Sequence, residues 1–120
     1  MFLQTGAGAI PVAGTFLSLA LFLSVTAHVA ARNVLGGVRP RLALTVGPGP
    51  AAVAVTGAAL SISAAATVPL AVLVDALLVR RAYELERRLT VYVTAIHAVV
   101  SVLFGAVVVA GFLILRTAPQ

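Results

Sequence analysis

The sequence predicts an all-α fold, an integral membrane bundle of four transmembrane helices with the second broken or started at Gly47-Pro48-Gly49-Pro50. Three observations carry this prediction. Of 120 residues, 62% are hydrophobic and 9% are charged, against about 45–50% apolar and about 25% charged in an average soluble domain. Apolar runs of membrane-spanning length follow one another along the chain. The arginines gather at the ends of those runs, as Arg32, Arg39 and Arg41, then Arg80, Arg81, Arg87 and Arg88, with Arg116 near the end.

The same numbers exclude other classes. A soluble fold of this size needs a polar exterior that these residues cannot build. Disorder requires low hydrophobicity and high net charge, whereas the mean hydropathy here is +1.16. With no cysteine, disulfides, Cys-ligated zinc, iron–sulfur clusters and thiol catalysis are all absent. Residues 1–120 read as one transmembrane domain.

A hydrocarbon core roughly 30 Å thick takes about 20 helical residues to cross. The first helix is expected near residues 12–34, closed by Arg32, Asn33 and the Gly36-Gly37 pair. No basic residue precedes it and no cleavage site in polar context follows, so it reads as an anchor and not as a signal peptide. Residues 42–79 contain a single charge, Asp75. As one helix they would extend roughly 57 Å at 1.5 Å per residue, nearly twice the core. Two helices are therefore expected, near 42–60 and 64–84, with a turn near residues 61–66. The fourth is expected near 89–115, between Arg87-Arg88 and Arg116.

Charge supports four crossings independently. Four spans place both arginine-rich loops on one side of the membrane, and three would place them on opposite sides, against the positive-inside rule. The expected setting is a multi-pass protein of the cell membrane with both termini extracytoplasmic. Its arginines would then face the anionic lipids of the cytoplasmic leaflet.

Prolines punctuate the middle helices. Pro48 and Pro50 each remove a backbone donor and clash with the preceding turn. Either the second helix starts there, with proline in a first turn that needs no donor, or it kinks. Broken helices at membrane depth often mark binding sites in transporters. Pro69 reads the same way, as the opening of the third helix with Thr67 as N-cap.

Three ionisable side chains lie inside the runs: His28, Asp75 and His97. Such groups are expensive in lipid and usually face protein. Asp75 has no cation three or four residues on, so its partner comes from another helix. The loop over residues 81–88 makes the third and fourth helices an antiparallel hairpin centred near Glu86. Asp75 and His97 then lie at equal depth, as do Arg80 and Tyr92. His97 shares a helical face with Thr94, Ser101 and Gly105, the kind of small and hydroxyl stripe that marks helix contact in membranes. His28 lies one turn before Arg32, nearer the cytoplasmic interface, with Ser24 one turn deeper.

Asp75 and His97 read either as a packing pair that keeps the hairpin in register or as a proton relay or ion-coupling site. His28 and His97 raise bis-histidine haem ligation, but their depths differ by about a turn and no aromatic-rich pocket is evident. A His–His–Asp metal site has suitable ligand types without clustered spacing. No cofactor and no metal are therefore expected.

Catalytic motifs of the metalloprotease, nucleophile-elbow, P-loop and dinucleotide types are absent. The net charge of +5 comes without alternating aromatics, so no nucleic acid is expected as a partner. Glu84 and Glu86 read as interfacial partners of the surrounding arginines, a weak interaction. The expected function is that of a non-enzymatic membrane module: an accessory or assembly subunit, or a small oligomeric scaffold, in a homo-oligomer or larger membrane complex. The alternative is a small proton- or ion-coupled transporter or channel using Asp75 and His97.

Several segments together resemble small haloarchaeal membrane proteins of unknown function. They are Thr26-Ala27-His28 followed by Ala31-Arg32-Asn33, Gly47-Pro48-Gly49-Pro50-Ala51, Asp75 followed by Arg80, and Tyr92-Val93-Thr94-Ala95-Ile96-His97. The resemblance covers most of the chain and implies a membrane location and a four-helix body, with no activity attached. Small multidrug transporters are similar in length and helix count, but they are built around a glutamate in the first span. This chain has no acidic residue there.

Overall fold

The computed structural model describes residues 5–119. They contain no strand and form α1 (Thr5–Leu35), a single turn α2 (Pro40–Ala43), α3 (Pro48–Ala59), α4 (Ala64–Tyr83) and α5 (Arg87–Thr117). Three stretches are long and apolar enough to cross a membrane: Gly8–Leu35, Pro40–Ala59 and Arg87–Thr117. The sequence predicts a fourth at α4, and here the charge count intervenes. Every membrane-length window of that helix includes Asp75, Arg80 and Arg81.

Local chemistry sets each helix end. Gly36, at φ +88, takes the left-handed conformation that closes α1, and its N–H donates to the Arg32 carbonyl at 3.0 Å. Between α2 and α3 the N–H groups of Leu44, Thr45 and Val46 donate to carbonyls three residues back, at 3.1, 3.1 and 3.0 Å. This is the tighter 3₁₀ pattern. The second helix, expected over 42–60 with a break or start at Gly47–Pro50, is two pieces, and Pro48 opens the second at a position where its missing donor matters least. Ser61 and Glu84, at φ 56 and 53, make the sharp reversals after α3 and α4. Only two residues, Leu85 and Glu86, then separate Glu84 from α5.

Two expected helix starts need correction. The first helix begins ahead of residue 12 and carries Pro11 inside it. Pro69 likewise lies inside α4, which starts at Ala64 behind Ser63, and Thr67 is not its N-cap. The Thr67 hydroxyl instead donates back to the Ser63 carbonyl at 3.0 Å. Both prolines lie in the second turn of their helix, where each removes one backbone bond and crowds the carbonyl four residues back.

The helices form a ring. α1 packs on α3 and α5, and α4 packs on the same two, while the diagonal pairs α1–α4 and α3–α5 do not meet among the described residues. Neighbours run antiparallel. Gly47 lies at Ala20 and Ser24, Gly57 at Thr67, and Gly105 at Phe22. The start of α1, the α3–α4 turn and the end of α5 therefore share one end of the bundle. The arginine-rich links share the other. The chain ends, residues 1–4 and 120, lie outside the described residues, and with them the expected sidedness of the termini.

Small residues let the ring close. A Cβ on Gly47 would lie 2.5 Å from the Ala20 carbonyl and from the Ser24 nitrogen, so α1 and α3 touch backbone to backbone. Apart from Pro50 and glycines, the buried apolar residues among those described are small alanines and valines: Ala20, Ala27, Ala30, Ala31, Ala43, Val46, Ala51, Val79 and Val93. The large side chains point outward, among them Val102, Val107, Ile114 and Leu115. Toward the arginine end, Ala27, Ala31, Ala43, Val46, Val79 and Val93 pack into a continuous dry cluster.

Candidate functional site

Above that cluster the interior turns polar. Ser24, Thr26, Asp75, Thr90, Thr94 and His97 are the buried polar residues among those described, and four polar side chains, those of Thr26, Asp75, His97 and Ser101, form one chain of bonds. His97 of α5 sets Nδ1 2.7 Å from Oδ2 of Asp75 on α4. Its Nε2 lies 3.0 Å from the Leu23 carbonyl and 2.9 Å from Oγ1 of Thr26, both on α1. Ser101, one turn along α5, reaches the same Thr26 oxygen at 2.9 Å.

The donors and acceptors can be assigned by elimination. A backbone carbonyl only accepts, so His97 Nε2 carries a proton and donates. The Thr26 hydroxyl donates to the Leu23 carbonyl at 3.2 Å, leaving its lone pairs to accept from His97 and from Ser101. One further proton lies between Nδ1 and Oδ2. Whether it rests on nitrogen or oxygen, the Asp75–His97 pair as a whole is neutral, which suits a buried site.

Of the four buried side-chain atoms without a partner among the described residues, two lie beside this chain, the others being His28 Nδ1 and the Tyr83 hydroxyl. Asp75 Oδ1 and Thr94 Oγ1 are buried with no partner, although buried polar groups are nearly always paired. Both residues line a cavity of about 290 Å³ that also touches Leu19 of α1, Ala54 of α3, Val68 of α4 and Val102 of α5. Those four residues lie on the side of Asp75 and His97 away from the arginines. The polar chain therefore has a cavity on one side and the dry alanine–valine cluster on the other.

The model of a family of unknown function, DUF7473, matches residues 6–119. The chain belongs to that family. Its match takes in every residue of the polar chain and of the cavity. Comparison with curated proteins and with solved structures gives no match.

The other sequence-selected residues are placed apart from this DUF7473 chain's polar centre. His28 is half-buried, with its Nδ1 enclosed and unpartnered, and lines a separate cavity of about 430 Å³ with Ser24 and Arg41. Arg32 and Arg80 are exposed. Tyr92 does not join Arg80; Arg88 covers its ring instead, 5.9 Å from the centroid, because that arginine is one turn away on the same helix. Pro50 lines the cavity beside Asp75 and Thr94, while Pro48 marks the α3 start behind it. Among the described residues no three His, Asp or Glu side chains converge on a metal-sized site.

Sequence reasoning passed over Thr26, the hub of the chain, and the Leu23 carbonyl. The available signal was slight: a lone hydroxyl on the face of the first helix opposite to Ser24 and His28.

Proposed function

We propose that this chain is a non-enzymatic, multi-pass integral membrane protein that handles a proton together with a small solute or ion at Asp75 and His97. The observation that carries the reading is the pair of unpartnered oxygens, Asp75 Oδ1 and Thr94 Oγ1, beside a cavity. A pair that served packing alone would leave no orphaned acceptor and no adjoining space. The outward-facing large apolar side chains support a lipid surrounding. The arginine clusters support an orientation with their end in the cytoplasm, against anionic lipid, and both termini outside. Four crossings follow if α4 is carried in with its partners, Asp75 paired inside and Arg80 and Arg81 reaching the interface. Resemblance to small haloarchaeal membrane proteins supports a haloarchaeal cell membrane as the setting.

The test is pH-gradient dissipation by the purified protein in liposomes. The reading expects flux that Asp75→Asn abolishes. A tight vesicle with wild-type protein would overturn it.

A second reading, an accessory or assembly subunit or a small oligomeric scaffold, is supported by the outer half of α5. Every residue over 106–119 is exposed, a surface that a neighbouring subunit would cover as well as lipid does. Absence of flux together with a defined oligomer on native mass spectrometry would favour it.

A further inference from the structure

The two unpartnered oxygens also restrict what the cavity can hold. Asp75 is 5% exposed and Thr94 7% exposed; both residues line the cavity, and each has one side-chain oxygen that is buried and without a partner. A carboxylate oxygen accepts, and a hydroxyl accepts as readily as it donates. The titratable residues on the lining are Asp75 and His97, and both nitrogens of His97 are already engaged. An anion therefore finds no counter-charge here, while a cation with N–H groups finds two acceptors. The remaining walls, including Leu19, Val68, Val72 and Val102, are aliphatic. At about 290 Å³ the space lies at the lower end of ligand pockets.

We propose that the cavity binds a small primary alkylammonium ion in exchange for one proton. Its N–H groups donate to Asp75 Oδ1 and Thr94 Oγ1, and its alkyl body lies among Leu19, Val68 and Val102. This rests on the solute- and proton-handling reading of Asp75 and His97, and it narrows that reading to one ligand class. The exchange follows from charge. The Asp75–His97 pair is neutral with two protons, one on Nε2 and one between Nδ1 and Oδ2, so an arriving cation would leave a net positive charge buried. Loss of the Nε2 proton to bulk water restores neutrality: Asp75 is then a carboxylate, His97 keeps its proton on Nδ1, and the ammonium supplies the balancing charge. The Thr26 hydroxyl, which donates to Leu23 when the cavity is empty, turns to donate to the bared Nε2.

Titration calorimetry of the purified protein in detergent micelles tests this, with n-butylammonium, n-butanol and butyrate as the probes. Saturable binding of butylammonium is expected, with a heat that depends on the buffer's ionisation enthalpy as release of one proton requires. Thr94→Val should weaken it about tenfold, the scale of a lost hydrogen bond to a charged group, and leave melting unchanged or raised, since Thr94 Oγ1 bonds nothing within the protein. Asp75→Asn should abolish it. Binding of butyrate or butanol as tight as that of butylammonium, a heat independent of buffer, or full-strength binding by Thr94→Val would each overturn the proposal. The liposome assay separates the two levels. Butylammonium binding without proton flux keeps the site and removes transport, and flux without butylammonium binding keeps transport and removes this ligand.

Discussion

Thr26 and His97 lie 71 positions apart in sequence, on the first and last helices, and their side chains meet at 2.9 Å. That contact joins the α4–α5 hairpin to α1. Without it and the adjoining bond from His97 Nε2 to the Leu23 carbonyl, the Asp75–His97 bond would be a matter between two consecutive helices. With them, three helices share one buried hydrogen-bond chain, and the ring of the bundle closes through a polar centre.

The hairpin pair should couple energetically. Asp75→Ala and His97→Ala each strand a buried group, a loss of about 3–5 kcal/mol in soluble proteins and of about 1 kcal/mol for hydrogen bonds in membranes. Unfolding titrations in mixed micelles should find the double variant less destabilised than the sum of the single ones, by about 1 kcal/mol or more. Additive losses would mean that the 2.7 Å contact does not form.

Thr26→Val should cost about 1 kcal/mol, because Ser101 loses its partner and His97 Nε2 keeps only the Leu23 carbonyl. Thr26→Ser retains the hydroxyl and should recover most of the loss. Thermal unfolding followed by circular dichroism distinguishes the two. A Thr26→Val variant that melts with the wild type would mean that the bonds of this hydroxyl add nothing to stability.

Gly47→Ala should destabilise the bundle by about 1–3 kcal/mol, the range for overpacking. The new methyl would meet the backbone of α1 at Ala20 and Ser24, which cannot turn aside as a side chain can. Gly14→Ala, which faces open space, is the control and should melt at or above the wild-type temperature. Comparable melting of the two variants would contradict the close crossing of α1 and α3.

Cysteines at Gly37 and Glu86 should react with an impermeant maleimide from one side of the membrane, and a cysteine at Ile62 from the other. The first two sit in the arginine-end links and the third in the α3–α4 turn, all exposed. Opposite labelling of Gly37 and Glu86 would refute four crossings.

The sequence by itself determined the helical class, the order of the helices and the depth of Asp75 against His97. Apolar runs mark helices by length alone, and the short link through Glu84 and Glu86 fixes the register of α4 on α5, so two positions on consecutive helices can be levelled by counting. It also marked Pro48 and Pro50 as a helix start or break, because proline's missing donor acts locally. Only the tertiary structure decided that α1 stands beside α5, that Thr26 faces His97, and that Asp75 Oδ1 and Thr94 Oγ1 are left beside a cavity. Those facts depend on the rotation of each helix and on the order of helices around the ring. Helix rotation is set by which small residues pack at each crossing, such as Gly47 against Ala20 and Ser24. On α5 the stripe of Thr94, His97, Ser101 and Gly105 marks the inward face, but on α1, α3 and α4, apolar on nearly every face, no such stripe records the choice in the sequence.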